Sequence, residues 1–267
     1  QGLRRIQQLA KANVYGSLVG LLITIPLYYR FGVQGIVPVI IITASVTLFF
    51  TWYFSRSIEM NKENVSRATT IKEGKGMLSM GFMISMSGMV ALLVAYVIRI
   101  FINRTGNVAD VGLYTAGFAI INTYVGMVFT AMGTDYYPRL SQVATDNQLC
   151  KEYINQQSEI AVLILAPILI CFLVFLNWAI IILYSSKFLS ITSMIYWATL
   201  GIFFKSVSWA IAFVLLAKGE GKLFFWNEFA GSIHGLGFSM LGYYIAGLTG
   251  LGIAFLASYF LYLVQVY

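Results

Sequence analysis

Charge is the scarcest property of this chain. Only 10% of its 267 residues are Asp, Glu, Lys or Arg, and it has one histidine, two cysteines and four prolines. A water-soluble domain carries about a quarter of its residues as charges, so this composition excludes an ordinary soluble globule. Two thiols, Cys150 and Cys171, form no metal motif. No disulfide is expected between them, because Cys150 falls on the expected cytoplasmic side and Cys171 inside an apolar band. No nucleophile is paired with a base, no helix carries paired carboxylates, and no glycine-rich phosphate loop occurs. These absences argue against a hydrolase and against an ATP-driven pump acting alone. The sequence therefore gives no catalytic residue, metal or cofactor, and the start QGLRRIQQLAKAN leads to no signal-peptide cleavage site.

What is abundant is apolar length: 59% of residues are hydrophobic. They gather into bands at Val14 to Tyr29, Val33 to Phe54, Met77 to Ile98, Val111 to Met132, Ile160 to Leu183, Ile191 to Ala217, Leu223 to Ile245 and Gly250 to Val266. Bands of about 16 to 27 residues are membrane-helix lengths, whereas a transmembrane barrel shows ~10-residue alternating segments. The expected fold is an all-α polytopic membrane protein of about eight transmembrane helices.

The basic residues then orient it. Arg4, Arg5, Lys11, Arg56, Lys62, Arg67, Lys72, Lys75, Arg139, Lys151, Lys218 and Lys222 fall on the side of Gln1, against Arg30, Arg99, Arg104 and Lys187 on the other. The positive-inside rule makes both ends cytoplasmic. The formal net charge of +7 is explained by that topology and by anionic lipid headgroups, with no nucleic-acid partner required.

One pattern repeats. VYGSLVGLLITIPLYYRFGVQGI from Val14 aligns with FAGSIHGLGFSMLGYYIAGLTGL from Phe229, pairing Gly16/Gly231, Ser17/Ser232, Gly20/Gly235, Leu21/Leu236, Tyr28/Tyr243, Tyr29/Tyr244, Gly32/Gly247 and Gly35/Gly250. The copies open the first and seventh bands, six crossings apart, so they share one orientation and belong to a parallel duplication of six-helix units. The charged stretch SRSIEMNKENVSRATTIKEGKG, Ser55 to Gly76, separates the units. The expected organisation is residues 1–58 as the last two helices of an N-lobe, 59–75 as a cytoplasmic linker and 76–267 as a six-helix C-lobe. The rest of the N-lobe would be a missing part of the same polypeptide. A complete eight-helix protein with glycine-rich hairpins alike only in composition is the other reading.

The stretch DVGLYTAGFAIINTYVGMVFTAMGTDYYPRLSQVATD, Asp110 to Asp146, resembles the region around the eighth helix of bacterial lipid-linked oligosaccharide flippases. These are the O-antigen and polysaccharide translocases of the multidrug/oligosaccharidyl-lipid/polysaccharide exporter superfamily. Gly112, Tyr114, Gly117, Pro138 and Ser141 carry the likeness, and Lys72, Glu73, Gly74 and the methionine-rich helix after them resemble the family's seventh helix. The resemblance implies movement of an undecaprenyl-diphosphate-linked sugar repeat from the cytoplasmic to the outer leaflet of a bacterial inner membrane, by ion-coupled alternating access. A multidrug or organic-cation antiporter of the same superfamily is the alternative, though it would more naturally centre on carboxylates. A membrane-embedded sugar transferase or polymerase would need larger loops than these.

Ionisable groups inside a membrane are costly and face a cavity or a partner. Lys205 interrupts its band a dozen residues before Ala217, near the midplane at about 1.5 Å per residue. Arg99 follows the run Met77 to Ile98, and Arg104 lies five residues further near the outer end of the same helix. Arginine's planar fork suits phosphate oxygens, while arginines at helix ends also snorkel to headgroups. With Lys205, these are the candidate substrate-binding residues. Glu228, His234 and Asp135 are the candidates for ion coupling, and Glu228 is alternatively a partner for Lys205. Glu228 and His234 are six residues apart and so lie on different faces of one helix. Asp135 lies just past its band, where Pro138 is expected to interrupt the helix.

Overall fold

The computed structural model describes residues 6–56 and 66–267. Arg4, Arg5, Lys62 and residues 59–65 of the expected linker lie outside the described residues. Every element among the described residues is helical, and six helical stretches are long and apolar enough to cross a membrane. The chain is a multi-spanning all-α membrane protein. It separates into two compact units, 1–67 and 68–267.

The first unit is a helical hairpin. α1 (Ile6–Phe31) turns through a short 3-10 segment, Gly32–Gly35, into α2 (Ile36–Ser55). Gly32 takes φ 53°, a left-handed conformation that only glycine adopts without strain. The arms run antiparallel: Tyr15 stacks on Phe50 and Phe54, at 6.0 and 5.9 Å between ring centroids. Thr43 and Thr47 donate to Val39 and Thr43 carbonyls at 2.8 and 2.9 Å, so their hydroxyls are satisfied within α2 and need no water.

The second unit holds α3 (Arg67–Thr105), α4 (Val108–Gln142), α5 (Asn147–Val174), α6 (Leu176–Leu183), α7 (Thr192–Ala217) and α8 (Gly221–Val266). α7 is its central rod, with Met194, Ile195, Ala198, Ile202 and Ala210 wholly buried. α4, α5 and α8 pack around it. Small residues permit the closest approach: Gly201 lies against Phe255 and Leu256, and Gly252 against the Met194 backbone. Outward-facing Leu163, Trp178 and Ile182 are exposed, as a lipid-facing surface requires.

α8 is itself a hairpin. Ala246 (φ −135°, ψ 19°) and Gly247 (φ 57°) leave helical geometry and fold residues 248–266 back along 221–245. Its build repeats that of the first unit position for position. A Cβ on Gly16 would meet Thr47 and one on Gly20 would meet Thr43; the same atom on Gly231 would meet Tyr262 and on Gly235 Ser258. The left-handed glycines Gly32 and Gly247 stand at the same offset. The sequence repeat is thus a repeat of turn and cross-arm register.

Two expectations need correction. α4 runs through Pro138 to Gln142, so the proline does not end it. A proline removes only one backbone donor, and tertiary contacts hold the last turns: the wholly buried Tyr136 hydroxyl donates to the Ala210 carbonyl at 2.8 Å. The band Ile160 to Leu183 is likewise not one helix. α5 starts at Asn147, capped by Asp146 accepting from Gln148 and Leu149 amides at 2.9 and 3.1 Å. It breaks at Phe175 before α6.

Candidate functional site

A cavity of about 300 Å³ opens in the second unit. Its walls differ in chemistry. α3 contributes only Ala91, Val94 and Ile98, whereas α4 contributes Tyr114, Phe118 and Asn122. α7 contributes Lys205. Glu228, Ser232, His234 and Ser239 come from the first arm of α8, and Phe255, Ser258, Tyr259 and Tyr262 from the second. Beyond Ser239 the Tyr243 hydroxyl donates to Asp110 Oδ2 at 2.7 Å and tethers the α3–α4 turn to α8.

Lys205 is half-buried in mid-α7. Its ammonium stands over three rings, 5.7 Å from Phe129, 5.9 Å from Phe255 and 5.2 Å from Tyr259. Ring quadrupoles attract a cation without neutralising it. No carboxylate lies within 4.0 Å of Lys205 among the described residues, where the one ion pair is Asp135 with Arg139, 2.9 Å apart. Lys205 thus has no carboxylate at ion-pair distance and faces the same cavity as Glu228.

Across the cavity a chain of hydrogen bonds ties the two α8 arms. Tyr262 donates to Glu228 Oε1. Asn227 Nδ2 donates to the Tyr262 hydroxyl oxygen at 2.8 Å. Gln265 Nε2 donates to Asn227 Oδ1 and the Asn227 carbonyl at 2.7 and 2.8 Å. Gln265 Oε1 then lies 3.1 Å from His234 Nε2, and because an amide oxygen only accepts, the imidazole carries its proton on Nε2. His234 Nδ1 is buried with no hydrogen-bond partner.

Residues 4–193 match the family described as polysaccharide biosynthesis proteins. The chain belongs to that family. No curated protein and no solved structure matched it. This polysaccharide biosynthesis protein is a membrane transporter rather than an enzyme. The matched stretch ends at the start of α7, so Lys205, Glu228 and His234 lie beyond it.

In this family member the structure brings Lys205, Glu228 and His234 to one cavity. Arg99, half-buried on α3 next to Ile98, and the exposed Arg104 are not among the residues lining it. Asp135 is exposed and pairs within its own helix with Arg139. Sequence reasoning separates Glu228 from His234 by helical phase, yet both line the same cavity. The link runs through the second arm, by way of Tyr262 and Gln265, which that reasoning missed. A signal for them existed in the repeat. At the offset that pairs the glycines, Glu228, Tyr262, Gln265 and His234 correspond to Asn13, Thr47, Phe50 and Val19.

Proposed function

We propose that this chain belongs to a translocase that carries undecaprenyl-diphosphate-linked oligosaccharide repeats from the cytoplasmic to the outer leaflet of a bacterial inner membrane. The observation that carries this reading is the unpaired Lys205 ammonium facing an aromatic and hydroxyl-lined cavity in a polysaccharide biosynthesis protein. A diphosphate supplies a close anionic partner for a cation whose carboxylate neighbour in the cavity, Glu228, lies beyond ion-pair distance. Tyrosine rings and serine hydroxyls offer stacking faces and hydrogen bonds to the sugar beside it, and the apolar α3 wall suits the lipid portion.

In this reading the polypeptide has two six-helix lobes and works by alternating access. Residues 1–58 end the N-lobe, 76–267 form the C-lobe, and the two hairpins built alike mark corresponding ends of the lobes. The hairpins raise six apolar stretches to eight crossings, with both ends of this chain cytoplasmic. Arg99 and Arg104 serve as secondary phosphate contacts along α3, reached as the lobes move. Glu228 and His234 carry the coupling ion, with Asp135 at the cytoplasmic end of α4 as a further ion-coupling group.

Equilibrium binding in detergent tests the reading. An undecaprenyl-diphosphate-linked oligosaccharide should bind and be displaced by undecaprenyl diphosphate but not by a planar organic cation such as ethidium. Tight ethidium binding with no binding of the lipid-linked sugar would instead favour an organic-cation antiporter of the same superfamily.

A further inference from the structure

The Glu228 to His234 chain is not something the hairpin fold requires. The first unit folds the same hairpin, with the same glycine contacts and the same left-handed turn, using Asn13, Val19, Thr47 and Phe50 at the corresponding positions. Of its members Tyr262 is buried, Asn227, Glu228 and His234 are half-buried and Gln265 is exposed. Placing two ionisable groups and two amides in a membrane-spanning hairpin costs free energy that apolar side chains would not. A polar network absent from the otherwise matching copy points to a task beyond folding.

Its bonds also run in one direction. His234 Nε2 donates to Gln265, Gln265 to Asn227, Asn227 to Tyr262, and Tyr262 to the Glu228 carboxylate. Each donor polarises the next, so charge at one end strengthens or weakens bonds at the other. Amides do not shuttle protons, so the chain transmits polarisation between two ends that each accept a proton, the Glu228 carboxylate and the unpartnered His234 Nδ1.

We propose that Glu228 and His234 act as one coupled proton-holding unit, that Tyr262 is the positioning residue joining them, and that an anion binding at Lys205 draws a proton into this unit. The groups facing it are Lys205 from α7, Tyr259 and Tyr262 from the second α8 arm, and Tyr114 from α4; α3 presents only apolar side chains. With Glu228 ionised and His234 neutral, the ionisable side chains lining the cavity carry one positive and one negative charge. A diphosphate adds negative charge in a medium of low dielectric, where the excess is strongly unfavourable. A proton from bulk water, taken up as Glu228 carboxylic acid or His234 imidazolium, offsets it. By linkage, lower pH then tightens anion binding. The identity of the anion rests on the translocase reading; the coupling within the network does not.

Two measurements on the full-length protein test this separately. The first is an infrared pH titration of the Glu228 carboxylic-acid band, assigned by its loss in Glu228→Gln. Tyr262→Phe, which keeps the ring, and His234→Gln should each move the midpoint by at least about one pH unit, a tenfold change in proton affinity. His234→Gln should add nothing in the Tyr262→Phe background, because its effect travels through that hydroxyl. A merely structural tyrosine would leave the two shifts additive. If Tyr262→Phe fails to fold, Gln265→Leu breaks the same chain at another link and should give the same result. Unmoved midpoints, or additive shifts, overturn the proposal.

The second measurement adds farnesyl diphosphate to weakly buffered protein in detergent and follows a pH indicator. Wild type should take up a proton on binding, whereas Glu228→Gln combined with His234→Gln should bind without uptake. Binding by wild type without uptake overturns the coupling and leaves the translocase reading standing. Failure of wild type to bind counts against the diphosphate reading, and the infrared titration still decides the network.

Discussion

Lys205→Ala should lower translocation of the lipid-linked oligosaccharide about a hundredfold while leaving the protein folded. Removing one partner of a desolvated charge contact costs roughly 2 to 5 kcal/mol, and each 1.4 kcal/mol is about tenfold. The unliganded protein loses less, because Lys205 has no carboxylate within 4.0 Å among the described residues and stands over Phe129, Phe255 and Tyr259; each such contact contributes about 0.5 to 1 kcal/mol at exposed sites. Lys205→Arg keeps the cation and its ring contacts and should retain most activity. Comparing leaflet-resolved rates at matched amounts of monodisperse protein checks this. Full activity in Lys205→Ala would remove Lys205 from the substrate path.

Gly252→Val should have the largest effect on folding. A side chain there meets the Met194 backbone, with the carbonyl carbon at 2.9 Å and Cα at 3.0 Å from its Cβ. Backbone cannot rotate aside as a flexible side chain does, so α7 must move. That displacement disturbs Met194, Ile195 and Ala198, all wholly buried. Overpacking of this kind costs about 3 kcal/mol or more, enough to deplete the folded protein from membranes. Gly81→Ala is the matching control. Its Cβ has nothing within 4 Å, it lies mid-helix, and the exchange should stabilise α3 by roughly 0.5 to 1 kcal/mol. Thermal unfolding in detergent distinguishes them. An unchanged midpoint for Gly252→Val would contradict the close α7–α8 packing.

The hairpins were legible because glycine at a fixed offset encodes both the turn and the cross-arm contact, and Gly32 and Gly247 do fold alike. Lys205 was legible because one cation in a long apolar run has few places to go. Helix ends were less so. Hydropathy sees only the lipid-embedded stretch, so the polar first turns of α5, from Asn147, and the start of α3 at Arg67 fell outside their bands. Pro138 misled because propensity says nothing of Tyr136 anchoring the last turns to α7. The polar network was hidden for a topological reason. Its partners are 31 to 38 residues apart, so helical phase along one arm could not find them until the fold at Gly247 set the opposing register.

The most direct test of the central claim is a leaflet-resolved assay. The full-length protein is reconstituted into liposomes with an undecaprenyl-diphosphate-linked oligosaccharide in one leaflet, and its arrival in the other is followed with a membrane-impermeant sugar-modifying enzyme. Protein-dependent transfer that is accelerated by an imposed pH gradient and lost in Lys205→Ala is the predicted result. Transfer no faster than in protein-free liposomes, alongside gradient-driven exchange of ethidium, would contradict it.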